Sequence, residues 1–129
     1  MNIYDSGYRG ECPIESDEQS TFIEYLRKAY PKTYGAVVVH IENEGKRSYR
    51  QAAYAKKQGL NKGACDILIP SNISFCCELK RKDRTQSKTS QDQIDYLEAA
   101  EKLGAFVCIA YGFDAAQAAF KDWLRIMNR

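Results

Sequence analysis

The sequence predicts an α/β fold, a four-stranded mixed sheet flanked by helices, on three observations. Short apolar runs at residues 35–41, 65–69, 74–79 and 105–111 read as strands. Segments with apolar residues at helical spacing lie before, between and after them, several opened by serine boxes and closed by Pro31, Gly59 or Gly104. The resulting order is helix, strand, helix, strand, strand, helix, strand, helix. It puts a helical crossover between the last two strands, which makes that pair parallel and the sheet mixed.

Residues 1–14, with Gly7, Gly10 and Pro13 and no periodicity, are expected to be an irregular arm ahead of a single domain spanning 15–129. Ser16-Asp17-Glu18-Gln19 is a capping box opening a helix that reaches Ala29 or Tyr30 before Pro31, with Phe22, Tyr25, Leu26 and Ala29 on one stripe. Residues 35–41, GAVVVHI, read as a buried strand, and Asn43-Glu44-Gly45 as the turn after it. His40 is the only histidine, and a lone strand histidine is more often structural than a general base. Ser48 and Gln51 form a second box, opening a helix to about Gln58 whose Arg50, Lys56 and Lys57 make one side basic.

The loop 59–63 leads to the fourth and fifth expected elements, strands 65–69 and 74–79. Pro70 and Ser71-Asn72 between them make an antiparallel hairpin. Residues 81–90, RKDRTQSKTS, have no apolar anchor and are expected to be a mobile loop; such a loop could order on a phosphate backbone, although many exposed loops are just as basic and do nothing. Ser90 and Gln93 form a third box, on a helix striped by Ile94, Leu97 and Ala100 or Leu103. Strand 105–111 follows, then a helix over 114–127 with Ala116, Phe120, Trp123, Leu124 and Met127 on one face, where Trp123 reads as core or interface.

At 129 residues the chain suits one domain, and no stretch is long and apolar enough to span a membrane. The opening dozen residues are too polar for a signal peptide, so a soluble, cytoplasmic protein without membrane association is expected. Five cysteines, odd in number and mostly inside strand patterns, suit buried thiols better than disulfides or a zinc site, for which paired spacing is lacking. The net charge of +2 conceals an asymmetry. Residues 46–88 carry eleven basic against three acidic side chains, leaving eight against fourteen elsewhere. A basic half suits approach to a phosphate backbone, although a solvated basic face would look the same.

Within that half, the hairpin carries the chemistry. Strand alternation puts Glu78 and Lys80 on one face and Cys77 and Leu79 on the other. Asp66, at the start of the neighbouring strand, can bring a second carboxylate beside Glu78. Two adjacent carboxylates repel, and a hard divalent cation removes the repulsion, since Mg2+ takes one or two carboxylates and keeps its other positions for water and phosphate.

These residues resemble a known family. Asp66 followed after eleven residues by Glu78-Leu79-Lys80 matches the D…E-x-K signature of the restriction-endonuclease-like nucleases. Gly63, Ser90, Gln93, Gly104 and the Asn43-Glu44-Gly45-Lys46-Arg47 segment are similar to the virus-type replication-repair nuclease (VRR-NUC) branch. The likeness covers roughly residues 15–124, with Cys65 standing where the family usually has proline before the aspartate.

What the resemblance implies is a restriction-endonuclease-like sheet and Mg2+ or Mn2+ dependent hydrolysis of DNA phosphodiesters. Asp66, Glu78 and the Leu79 carbonyl would hold the metal. Lys80 would orient the attacking water, and Gln93 would lie near that water or the scissile phosphate. The family also uses an acid on the first helix, for which Glu18 is the better match and Glu15 the competitor; alternatively Glu18 serves only its helix dipole. Lys46, Arg47, Arg50, Lys62, Arg81, Lys82, Arg84 and Lys88 are the expected DNA-binding set. Compact stand-alone members, often phage-encoded, are similar to dimeric nucleases that resolve four-way (Holliday) junctions, so branched DNA and a second copy of the chain are the expected partners. Flap or nicking preference, or a non-catalytic DNA-binding module, are the alternatives.

Overall fold

The computed structural model describes residues 1–42 and 48–129; the expected turn at Asn43-Glu44-Gly45 and the cations Lys46 and Arg47 lie outside them. Its central elements follow from the two strongest apolar runs. Strand β4 (Phe75–Lys80) and strand β5 (Phe106–Tyr111) are buried along their whole length and pair in parallel, from Phe75 opposite Phe106 to Lys80 opposite Tyr111. Helix α4 (Gln91–Lys102) makes the crossover between them. Its Leu97 packs with Cys65, Cys76, Val107, Ile109 and Tyr111 on one sheet face.

The opposite face is covered by helices α1 (Glu15–Ala29) and α5 (Phe113–Met127). Phe22, Leu26, Phe120 and Trp123 there meet Phe75, Cys77, Leu79, Phe106 and Cys108. Trp123 is fully buried, and its indole donates to the Ile73 carbonyl at 2.7 Å. A buried indole keeps its polar edge satisfied in this way. Four of the five cysteines are buried, and all are free thiols.

Strand β3 (Ile67–Ile69) pairs antiparallel with β4, and β2 (Val39–His40) antiparallel with β3. Among the described residues the sheet has five strands rather than four. Residues expected to begin an irregular arm form the fifth, β1 (Asn2–Tyr4), which lies parallel to β5 and gives the order β1-β5-β4-β3-β2. Three residues are too few to show alternation, so this edge strand exists through the ladder that β5 offers it.

Three other expectations are corrected. The valine run 35–41 is not one strand: helix α2 (Tyr34–Val37) takes its first half, and Val37 and Val39 are exposed. Gly35 explains why, since a Cβ there would stand 2.4 Å from the Leu26 carbonyl. The backbone of α2 therefore sits directly on α1. The Ser16 box is not used, because α1 begins a residue before Ser16 with Ile14 at its cap and no side-chain bond. The boxes at Ser48 on α3 (Tyr49–Lys57) and Ser90 on α4 form in full.

The loop expected to be mobile is instead folded around Asp83 and a short 3-10 turn, Arg84–Gln86. Asp83 is 4% exposed and accepts from the Thr85 amide and hydroxyl, the Gly10 amide and Gln86. The Thr85 hydroxyl, then the Gly10 amide, hold its carboxyl down to about 2.

Candidate active site

Ile67 stands opposite Cys77 and Leu68 opposite Cys76. One further step along that register sets Asp66 across from Glu78, on the face away from the α1 and α5 core. Asp66 leaves the ladder at its side chain, where its Oδ2 accepts from the Leu79 amide at 3.0 Å. Glu78 is fully buried and Lys80 is 4% exposed, with 3.7 Å between their charged atoms. A buried carboxylate and ammonium are tolerated here because each has further partners.

Gln93 supplies one of them. As the third residue of α4 its side chain closes the capping box, Oε1 accepting from the Ser90 amide at 2.9 Å. The same Oε1 accepts from Lys80 Nζ at 3.3 Å, and Nε2 donates to Glu78 Oε2 at 3.1 Å. One side chain thus closes the cap of α4 and touches both charged groups of β4.

The first helix contributes differently from expectation. Glu15 Oε1 stands 3.4 Å from Lys80 Nζ, whereas Glu18 accepts from the Phe113 amide and caps α5. Of the two candidate acids, the structure brings Glu15 to the site and turns Glu18 to a structural bond. Gln19 lies outside the expected set, yet its Nε2 donates to the Leu79 carbonyl at 3.3 Å. Its signal was present, since positions 15, 19, 22 and 26 form one helical stripe leading to the core residues Phe22 and Leu26.

The carboxylates perturb each other. Burial, then the charge of Asp66, push Glu78 up to about 9, against the pull of Lys80. Burial also raises Asp66, opposed by the neighbouring Glu78 carboxyl, by Lys80 and by the Leu79 amide. His40, exposed on β2 opposite Ile67, adds a small lowering of Asp66.

Whether a divalent cation fits can be judged from the donors. Among the described residues no three His, Cys, Asp or Glu side chains gather as a metal-binding group. Glu78 Oε1, however, is buried without a hydrogen-bond partner, and the Asp66 carboxyl lies close enough to raise Glu78 by its charge. Two carboxylate groups that repel in burial, one with an orphaned oxygen, suit a hard cation that needs few protein ligands.

The expected DNA-binding cations divide. Arg50 and Lys88 are exposed, and Lys62 is exposed but paired with Asp92 at 3.1 Å. The other three are engaged by the N-terminal arm. Arg81 donates to the carbonyls of Cys12 and Pro13, Lys82 lies over the Tyr8 ring, and Arg84 meets Asp5 and the Tyr111 ring.

The class defined by fold and site is a mixed α/β domain bearing a carboxylate pair on a hairpin and a lysine two residues beyond it. No protein-family model and no curated protein matches the chain. Its fold is similar to that of a solved structure, a VRR_NUC domain protein, with a TM-score of 0.74 over 92% of each chain at 18% identity. No helix among the described residues is long and apolar enough to cross a membrane.

Proposed function

We propose that this protein is a metal-dependent nuclease that hydrolyses DNA phosphodiester bonds. The observation that carries the reading is the placement of Asp66 against buried Glu78, whose Oε1 has no partner, with Lys80 on the same face. The fold's similarity to a VRR_NUC domain protein supports the same reading.

Asp66, Glu78 and the Leu79 carbonyl would hold Mg2+ or Mn2+. When bound, that ion supplies Lewis-acid activation of water and neutralises charge on the phosphate. Lys80 Nζ, steered by Glu15, Glu78 and the Gln93 Oε1, orients the attacking water and stabilises negative charge as it develops. Gln93 keeps Glu78 and Lys80 in mutual register while its own position is fixed by the start of α4. Gln19 holds the Leu79 carbonyl in place. Arg50, Lys62 and Lys88 remain as exposed cations for the phosphate backbone.

For the substrate we favour branched DNA, a four-way junction above a flap or nick, and a homodimer as the working form. Both rest on the likeness of the D…E-x-K, Ser90, Gln93 and Gly104 set to compact members of that family. The deciding assay incubates four-way junction, flap and linear duplex DNA with Mg2+ or Mn2+, comparing the native chain with Lys80→Ala. Metal-dependent cutting lost in the variant is the expected result. Cutting that survives without Lys80 would overturn the mechanism, and uncut DNA throughout would overturn the activity.

A further inference from the structure

The ion pair between Lys80 and Glu15 is followed, beyond Lys80 and ahead of Glu15, by further contacts that join the same two segments. After Lys80, Arg81 donates from Nη2 to the Cys12 carbonyl at 2.8 Å and from Nε to the Pro13 carbonyl at 3.1 Å. Two residues on, Asp83 accepts from the Gly10 amide at 2.9 Å, and Gln86 donates to the Gly10 carbonyl at 2.9 Å. Residues 10–13 run directly into Ile14, whose carbonyl receives the Asp17 and Glu18 amides and starts α1. Ile14 has no side chain able to cap that helix, so its starting point is held from outside. Glu15 is the first helical residue after it.

We propose that Arg81 is a positioning residue: by gripping the carbonyls of Cys12 and Pro13 it fixes the first turn of α1, and with it Glu15 against Lys80, without itself contacting DNA. The inference rests on the nuclease reading for its effect on turnover. The planar guanidinium suits two diverging carbonyls as an ammonium does not. Lys82 over Tyr8 and Arg84 beside Asp5 bind the same arm, so the arm and the loop after β4 form one unit. Displacing Glu15 by an ångström would release Lys80 toward Glu78 and Gln93 alone, and misplacements of that size cost catalysis heavily.

The test compares the native chain, Arg81→Ala and Arg81→Lys in two measurements. The first is steady-state cutting of a labelled four-way junction in Mg2+ across a salt series. A positioning role lowers kcat by roughly tenfold to a hundredfold in Arg81→Ala. KM and its salt slope stay unchanged, and Arg81→Lys recovers only part of the loss. A phosphate contact instead raises KM, reduces the salt slope by about 1 and is largely replaced by lysine, and this result would overturn the proposal. The second measurement is hydrogen exchange at the Gly10, Asp17 and Glu18 amides without DNA. Faster exchange in Arg81→Ala supports the grip, and unchanged exchange sinks it. If the native chain cuts no DNA, the nuclease reading falls and exchange alone decides whether Arg81 sets the start of α1.

Discussion

Gln93 hydrogen-bonds both members of the Glu78 and Lys80 pair, donating to one at 3.1 Å and accepting from the other at 3.3 Å. It does so from the third position of a helix whose cap it also completes. One amide therefore couples the start of α4 to the charge pair on β4, and the two cannot shift independently.

Gln93→Ala should on this account damage both stability and activity. It removes half of a capping box and leaves a buried carboxylate oxygen without its donor, together costing about 1 to 3 kcal/mol. Activity should fall by about a hundredfold, the usual scale for losing one preorganised polar group. Urea melts and single-turnover cutting measure the two effects. A loss of stability with full activity would show that Gln93 is only a cap.

Glu78 should make the metal-free protein less stable as pH rises. Its folded value of about 9 lies above the ordinary 4.5, because it is buried and faces Asp66. A group whose folded value is the higher contributes fully below its unfolded value, and that contribution is lost as pH climbs through the folded one. Tm in EDTA should therefore fall between about pH 5 and 9, and the fall should be much shallower in Glu78→Gln. Added Mg2+ should raise Tm most at the alkaline end, since a bound ion stabilises by mass action and favours the ionised pair. A native chain with a flat Tm profile would contradict the coupling.

The two acids on α1 should separate cleanly. Glu18→Ala strips the cap from the Phe113 amide and should lower stability by about 1 to 3 kcal/mol with turnover intact. Glu15→Ala removes a half-exposed partner of Lys80, changes stability little, and should lower kcat by about a hundredfold. Paired melts and kinetics check this, and the reverse pattern would restore Glu18 as the site acid.

Gly63→Ala should disturb the site from a distance. A Cβ there would lie 2.3 Å from the Asp92 carbonyl, in the first turn of α4. Either the loop or the helix must move, at a cost of about 1 to 3 kcal/mol, and a moving helix carries Gln93 with it. Denaturant midpoints and cutting rates should both drop; native values for both would mean that the loop yields freely.

Much of the site was legible because it depends on a period of two. Once residues 65–69 and 74–79 are read as a hairpin, alternation puts Glu78 and Lys80 on one face and register sets Asp66 opposite. The boxes at Ser48 and Ser90 were equally legible, since each is satisfied within four residues. The choice between Glu15 and Glu18 was not, because both border the apolar stripe and only the seating of α1 against α5 decides which reaches Lys80. The loop 81–90 misled for a related reason. Its side chains are polar in any reading, and what orders them is an arm 68 to 73 residues earlier.

The sequence by itself determined the hairpin with its two carboxylates and lysine, helices α1, α3, α4 and α5 and the parallel crossover, because hydrophobic period, capping and strand alternation are local properties. Tertiary structure alone decided that Asn2–Tyr4 joins the sheet, that Glu15 rather than Glu18 meets Lys80, and that Arg81, Lys82 and Arg84 face the arm. Those outcomes turn on contacts between segments far apart in the chain, where each candidate group is locally acceptable and only simultaneous packing selects among them.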